Sequence, residues 1–261
     1  MIRFASLGSG SRGNALAVVA GETALLVDCG FPLRTTTERL ARLGLAPDDL
    51  AGILVTHEHS DHLAGVFPLA RKFGLPVYLT EGTWHSAEER LGSRAKEIRA
   101  LCRPIRAGQS FALGCADVLP FAVPHDAREP VQFALSYTGR ALGVLTDTGW
   151  ITPHIVDCVK RCDALVLEFN HDATRLASSS YPAMLKRRIA SDFGHLENRQ
   201  ALGLLDCIES SALQHVVAAH LSAENNCPEL VRGLLETHPA VAGAQVGIAS
   251  QSEGVDWRSI D

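Results

Sequence analysis

The segment Thr56-His57-Glu58-His59-Ser60-Asp61-His62 follows directly on the apolar run Gly52-Ile53-Leu54-Val55 and constrains this chain more than any other feature. Four metal-ligand side chains fall within six residues, in the spacing H-x-H-x-D-H. At the end of an extended strand, residues i and i+2 point to the same side, so His57 and His59 can hold one ion together. Asp61 and His62 lie where the chain turns into a helix, expected over Leu63–Phe73, and aim at the same pocket from another direction. That arrangement suits two adjacent ions better than one. The alternative is a polar turn in which Ser60 or Asp61 caps the helix. A cap explains a lone polar residue, but not three histidines and an aspartate at this spacing.

Around this motif the apolar pattern predicts short strands at Ile2–Leu7, Ala15–Ala20, Ala24–Val27 and Gly52–Val55, with a helix over Leu33–Leu43. Asn14-Ala15 and Gly21-Glu22 supply turns. A strand at Pro76–Thr80 and a helix from Gly82 to Leu91 follow. A second strand-rich set covers Ser110–Leu113, Ala116–Phe121, Val131–Tyr137 and Leu142–Leu145. Helices and strands then alternate through Pro153–Arg161, Ala164–Glu168, Tyr181–Ser191, Asn198–Ser210, His215–Ala219 and Pro228–Thr237, with last strands around Val246 and Val255. Such a pattern implies two sheets packed face to face and covered by helices, a four-layer αββα sandwich of the α/β (α+β) class. With no repeat or linker in sight, residues 1–261 read as one domain.

Composition narrows the function classes. The chain is 46% apolar and 20% charged, that of an ordinary globular protein. A net charge of −5 does not advertise a general nucleic-acid binder, though it leaves room for a local basic groove. The seven cysteines are odd in number and lack any C-x-x-C, which points to reduced thiols. Cys158 and Cys162, at i and i+4, fit core packing better than metal binding. The opening Met1–Gly8 has no signal-peptide shape, and no apolar run approaches the ~20 residues of a spanning helix. A cytoplasmic protein with no membrane partner is expected.

Further ligand-type residues close apolar strands: His125 after Val118–Pro124, Asp147 after Leu142–Thr146, and His220 after His215–Ala219. Singly each fits a turn as well as a ligand. Jointly, downstream of H-x-H-x-D-H, they would converge on one rim of a sheet sandwich. This order resembles the metallo-β-lactamase fold superfamily over essentially the whole chain. Ser6–Asn14, Leu26–Gly30, Glu168-Phe169-Asn170-His171-Asp172, Gly194-His195-Leu196-Glu197-Asn198 and His220–Asn226 look closer still to its YycJ/WalJ-like branch, similar to phosphodiesterases and nucleases. Arg12 and Glu197 stand where that pattern usually has Ser. The resemblance implies His57, His59 and His125 on one ion, Asp61, His62 and His220 on a second, and Asp147 bridging both. A purely N and O donor set suits two Zn²⁺ or Mn²⁺ ions per chain, ~3.5–4 Å apart.

The implied chemistry is hydrolysis of a phosphodiester, with a metal-bridging hydroxide as nucleophile and Asp61 orienting or deprotonating it. Resemblance to the tRNA 3′-processing branch places a non-ligand histidine at His195 and implies it as donor to the leaving alkoxide, with Glu168 orienting it; the alternative is a helix-start residue with no chemistry. Asp28 would fix a ligand histidine, the Gly8–Asn14 loop could cradle phosphate or be a plain turn, and His171 could line the pocket. His85, His154, His215 and His238 have no motif around them. Arg94, Lys96, Arg99, Arg103 and Arg106, and then Lys186-Arg187-Arg188, concentrate positive charge, which is usually a solvated helix face and, beside a two-metal site, also fits contacts to a nucleic-acid or phosphodiester substrate. The reading is therefore a nuclease, 5′→3′ DNA exonuclease-like. A thioester or lactone hydrolase of the same fold is the alternative, and a non-catalytic metal-binding regulator the more distant one.

Overall fold

In the computed structural model, which describes residues 1–261 apart from the side chain of Ser210, two seven-stranded mixed sheets lie face to face. The first holds β1 (Ile2–Gly8), β2 (Ala15–Ala20), β3 (Thr23–Val27), β4 (Leu50–Leu54), β5 (Val77–Leu79) and β6 (Cys102–Pro104) in that order. The second holds β7 (Phe111–Leu113), β8 (Ala116–Ala122), β9 (Val131–Tyr137), β10 (Arg140–Leu145), β11 (Ala164–Glu168), β12 (His215–Ala219) and β13 (Gln245–Ile248). The last strand, β14 (Val255–Ile260), returns to the first sheet and pairs antiparallel with β1.

Strand alternation builds the layers. Leu25 and Val27 of β3 face Val166 of β11 and Val217 and Ala219 of β12 in the core between the sheets. Their neighbours Leu26, Leu165, Leu167, Val216 and Ala218 point outward. Both faces being apolar, each sheet needs a helical cover. On the first sheet this comes from α1 (Leu33–Arg42), α2 (Ser60–Leu63), α3 (Val66–Phe73), α4 (Glu81–Leu91) and α5 (Ala95–Arg99). Along the second half run α6 (Pro153–Val159), α7 (Ala173–Ser178), α8 (Ala183–Ile189), α9 (Asn198–Leu205) and α10 (Pro228–Glu236). Of these, α6, α9 and α10 bury Ile155, Leu204, Leu205, Val231 and Leu235 against the second sheet. No helix is long and apolar enough to cross a membrane.

Each sheet is antiparallel in one half and parallel in the other: β3, β4, β5 and β6 run parallel, as do β10, β11, β12 and β13. Helical crossovers bring parallel strands to the same edge, and their carboxyl ends open the crevice where such folds keep their sites. Asp28, Asp147 and His220 follow the ends of β3, β10 and β12, and Glu168 closes β11.

The helix expected over Leu63–Phe73 differs. It is two helices, α2 and α3, broken at Ala64-Gly65. The Gly65 N–H donates to the Cys29 carbonyl at 2.7 Å, and a side chain at Gly65 would strike the Phe31 carbonyl. A neighbouring loop thus enters where a continuous helix would need room. The helix expected over Asn198–Ser210 ends at Leu205, and that over Tyr181–Ser191 is shortened to Ala183–Ile189.

Candidate metal centre

His57 and His59 leave the end of β4, and α2 begins one residue later. The N-cap of α2 is His59, with no side chain capping the helix, so neither Ser60 nor Asp61 has the capping role. Asp61 instead turns its Oδ2 to within 3.3 Å of His220 Nε2 and 3.5 Å of His62 Nε2. Asp147 presents both oxygens: Oδ2 lies 3.0 Å from His62 Nε2 and Oδ1 lies 3.4 Å from His220 Nε2. His59 Nδ1 and His125 Nε2 face each other at 3.3 Å. The structure therefore brings together all seven residues singled out as ligands.

Hydrogen bonds fix which ring nitrogens remain free. Asp28 Oδ1 accepts from the Thr56 N–H at 2.8 Å, and its Oδ2 accepts from Thr56 Oγ1 at 2.8 Å and from His62 Nδ1 at 2.7 Å. With its hydroxyl proton given to Asp28, Thr56 Oγ1 can only accept from His57 Nδ1, 2.9 Å away. His125 Nδ1 donates to the Gly194 carbonyl at 3.0 Å. Nε2 of His57 and His125 is left with its lone pair, while His62, whose charge burial opposes but the Asp147 and Asp28 carboxylates favour well above its ordinary pKa, turns its Nε2 into the same cluster.

The donors fit metal ions. His57 Nε2 and Asp147 Oδ2 are buried without a hydrogen-bond partner, a cost proteins seldom bear unless something occupies the site. His62 Nε2 stands 3.0 Å from Asp147 Oδ2 and, when protonated, serves that oxygen, but His57 Nε2 stays without a partner in either case. Two imidazole nitrogens on one tetrahedral zinc, each ~2.0–2.1 Å from it, stand roughly 3.3 Å apart, as His59 and His125 do. Donor atoms of His57, His59 and His125 lie within 4.8 Å of one another, and so do those of Asp61, His62 and His220. Asp147 groups with His57 and His62 on one side and with His220, Glu168 and His195 on the other.

Electrostatics separates the two groups. Burial, reinforced by the other imidazoles, holds His57 well below its ordinary pKa, and burial lowers His125. Both stay neutral and able to ligate. Burial also opposes charge on His220, but the carboxylates of Asp147, Asp61 and Glu168 outweigh it and lift its pKa to about 10. Buried Asp147 is nonetheless held well below the carboxylate range by His220 and His62.

Glu168 is fully buried. Its Oε2 accepts from the Thr148 and Leu196 N–H groups at 3.0 and 3.2 Å, and its Oε1 lies 2.8 Å from His195 Nδ1. Burial would raise this carboxyl, but His195 and His220 bring it down to about 2. His195 remains 22% exposed at the side chain, with Nδ1 committed to Glu168 and only 3.4 Å from Asp147 Oδ1. Burial opposes its charge and Glu168 overrides that, so its pKa is raised.

Three bracing residues lie in segments already singled out, but with no role of their own assigned there. Asn14 Nδ2 lies 3.3 Å from Asp61 Oδ2 and 3.1 Å from His62 Nε2. Thr56 relays Asp28 to His57, and Asn170 Nδ2 donates to the His220 carbonyl at 3.0 Å. The Gly8–Asn14 loop is a brace too, because Ser9 Oγ accepts from the His220 N–H at 2.8 Å. His171 is buried with Nδ1 unpartnered and its pKa pushed by burial to about 4. Of the first basic cluster, Arg99 is held by Glu81 at 2.7 Å and Arg103 by its own backbone neighbours. His85 and His154 are exposed, while His215 is buried against Phe4 and bonded to Ser259. Cys162 is buried, its thiol pushed up to about 12. All seven cysteines are free.

Comparison with known proteins places this geometry. A family model described as a beta-lactamase superfamily domain matches residues 23–220, from the start of β3 to His220. The exodeoxyribonuclease YycJ of Bacillus anthracis is 37% identical over 255 residues, covering 98% of this chain and 96% of its own. The exodeoxyribonuclease WalJ of Streptococcus pneumoniae serotype 2 is 35% identical over 251 residues, covering 94% and 91%. Among solved structures, the metallo-beta-lactamase fold protein YhfI of Bacillus subtilis superposes with a TM-score of 0.73 over 99% of this chain and 100% of its own, at 16% identity. That likeness is one of fold.

Proposed function

The chain belongs to the beta-lactamase superfamily, with the metallo-β-lactamase fold, and from that premise we propose that it is a metal-dependent exodeoxyribonuclease with a binuclear centre. One observation carries the reading: the seven candidate ligands fall into overlapping, linked donor groups, and His195, held by the buried Glu168, stands within reach of Asp147. In this assignment His57, His59 and His125 hold one Zn²⁺ or Mn²⁺, Asp61, His62 and His220 hold the other, and Asp147 belongs to both. The chemistry such a pair supplies is activation of water near neutral pH and neutralisation of charge on phosphoryl oxygens.

The chain's own groups do the rest. Asp61 orients the attacking water and accepts its proton. Glu168 keeps the proton of His195 on Nδ1, so Nε2 delivers its own proton to the leaving alkoxide. A thioester expels a thiolate that leaves without this extra acid, so the acid favours an alkoxide leaving group, and between a lactone and a phosphodiester the basic end of α8 favours the phosphodiester. The shared core between the sheets supports reading residues 1–261 as one domain. The free cysteines and the absence of any membrane-crossing helix fit a cytoplasmic protein acting on DNA.

End-labelled single- and double-stranded DNA and RNA, incubated with Zn²⁺ or Mn²⁺ and resolved on a gel, test the proposal. A 5′→3′ exonuclease releases a 5′ label as mononucleotide and shortens a 3′-labelled strand into a ladder. Internal fragments that precede any end product would contradict exonuclease action, and no cleavage of any substrate would contradict the nuclease reading.

A further inference from the structure

Among the described residues, Met1, Trp150, Met184 and Phe193 are the exposed large apolar side chains. Single exposed residues of this kind are ordinary. Three of these, however, come from segments fastened to the metal centre. Trp150 lies three residues after Asp147, Phe193 two before His195, and Met184 sits on α8, which leads into that loop. The backbones of the first two touch: a side chain on Gly149 would overlap the backbone at Ser191, Asp192 and Gly194.

The loop is also pinned. The His195 N–H donates to the Ile189 carbonyl at the end of α8 at 2.9 Å, and the Asp126 N–H donates to the Phe193 carbonyl at 2.9 Å. The Phe193 backbone is thus tied down on both sides while the side chain stays 59% exposed; Trp150 is 50% exposed. Lys186, Arg187 and Arg188 form the last turn of α8, two residues before the Phe193 loop opens at Ser191, and Lys186 Nζ donates to the Ala177 carbonyl at 2.7 Å. Arg188 Nε reaches Asp126 Oδ2 at 2.6 Å, which ties the basic turn to the residue after His125. Arg187 is exposed and has no ion pair among the described residues.

We propose that Phe193 and Trp150, with the basic end of α8, form a stacking rim that receives unpaired bases of a DNA strand next to the phosphodiester being cleaved. This rests on the nuclease reading above. Aromatic faces beside cations are the chemistry of single-strand binding: every base offers a π-face, the phosphates need positive charge, and no sequence is read. A paired duplex hides its base faces, so the rim selects a frayed or single-stranded end.

Phe193→Ala, Trp150→Ala and their combination remove exposed atoms and should fold normally. We compare KM for a single-stranded oligothymidylate with KM for an abasic oligonucleotide of equal length, which keeps the phosphates and has no base to stack. Each alanine should raise the oligothymidylate KM on the order of tenfold more than that of the abasic strand, as loss of one base stack requires, and Trp150→Phe should restore it. A phosphorothioate oligonucleotide should quench tryptophan fluorescence in the wild type and not in Trp150→Phe. An unchanged oligonucleotide KM in the double variant would overturn the rim, as would a double variant whose only change is dissociation of a dimer. Wild-type protein inactive on both substrates yet quenched by DNA would overturn the nuclease reading and keep the rim; loss of quenching as well would overturn both.

Discussion

At the residue scale, the site is organised around proton placement as much as around ligands. Asp28 lies just past β3 in left-handed backbone conformation, φ 58°, and Asp147 and His220 share that conformation at φ 50° and 54°. Non-glycine residues seldom adopt it, and each costs of order 1–3 kcal/mol unless its surroundings hold it there. Asp28 is held by the Thr56 and His62 bonds that set two ring tautomers. Asp28→Asn should lower metal affinity about 10–100-fold without removing a ligand, as outer partners of ligand histidines typically do. A competition titration with a chromophoric chelator reads it, and unchanged affinity would dissociate Asp28 from the centre. His195→Ala should keep its metal and lose roughly 10²–10⁴ in kcat on DNA, with a smaller loss on a p-nitrophenyl ester, whose leaving group departs without a proton. Equal losses on both would remove His195 from the acid role. Spacing made His57, His59, Asp61 and His62 visible in the sequence, whereas His125, Asp147 and His220 stood out only as residues closing apolar strands in an order that resembles the superfamily. Asn14, Thr56 and Asn170 lie in segments that stood out too, but their bracing role was not legible, because a brace is defined only by its neighbour across the fold.

At the scale of elements, the apolar runs Ala164–Glu168 and His215–Ala219 become β11 and β12 without shift, since continuous runs of that length suit strands buried on both faces. The pieces that escaped the sequence reading are α5, β6 and α7, of five, three and six residues, too short to show a period. The break between α2 and α3 escaped it too, because only tertiary approach of the Cys29–Phe31 loop creates it. The same loop makes Gly30 a sensitive point. A Cβ there would meet the Asp61 carbonyl and the Gly13 backbone. Gly30→Ala should destabilise by about 1–3 kcal/mol, the usual cost of overpacking, and should weaken metal binding by displacing Asp61. Denaturant midpoints and metal affinity check both; a neutral effect on each would mean that the loop yields freely.

At the scale of the whole molecule, the centre couples metal, protons and stability. In metal-free protein His220 is raised from 6.5 to about 10, so its contribution is complete below pH 6.5 and lost as pH rises through 10. Glu168 is lowered from 4.5 to about 2, so its contribution is present above pH 4.5 and lost as pH falls toward 2. Metal-free protein should be most stable between those limits, and the rise in Tm on adding metal should grow from pH 6 to pH 9 as ions replace ring protons. A metal effect on Tm independent of pH would contradict that coupling. Seven residues from both sheets are assigned to one binuclear centre, and elemental analysis of fully reconstituted protein counts its ions. Two divalent ions per chain are predicted for the wild type, about one for His57→Ala, and neither retained by Asp147→Ala, which alone belongs to both ions. One ion or fewer in the wild type, or equal single-ion losses in the two variants, would contradict it.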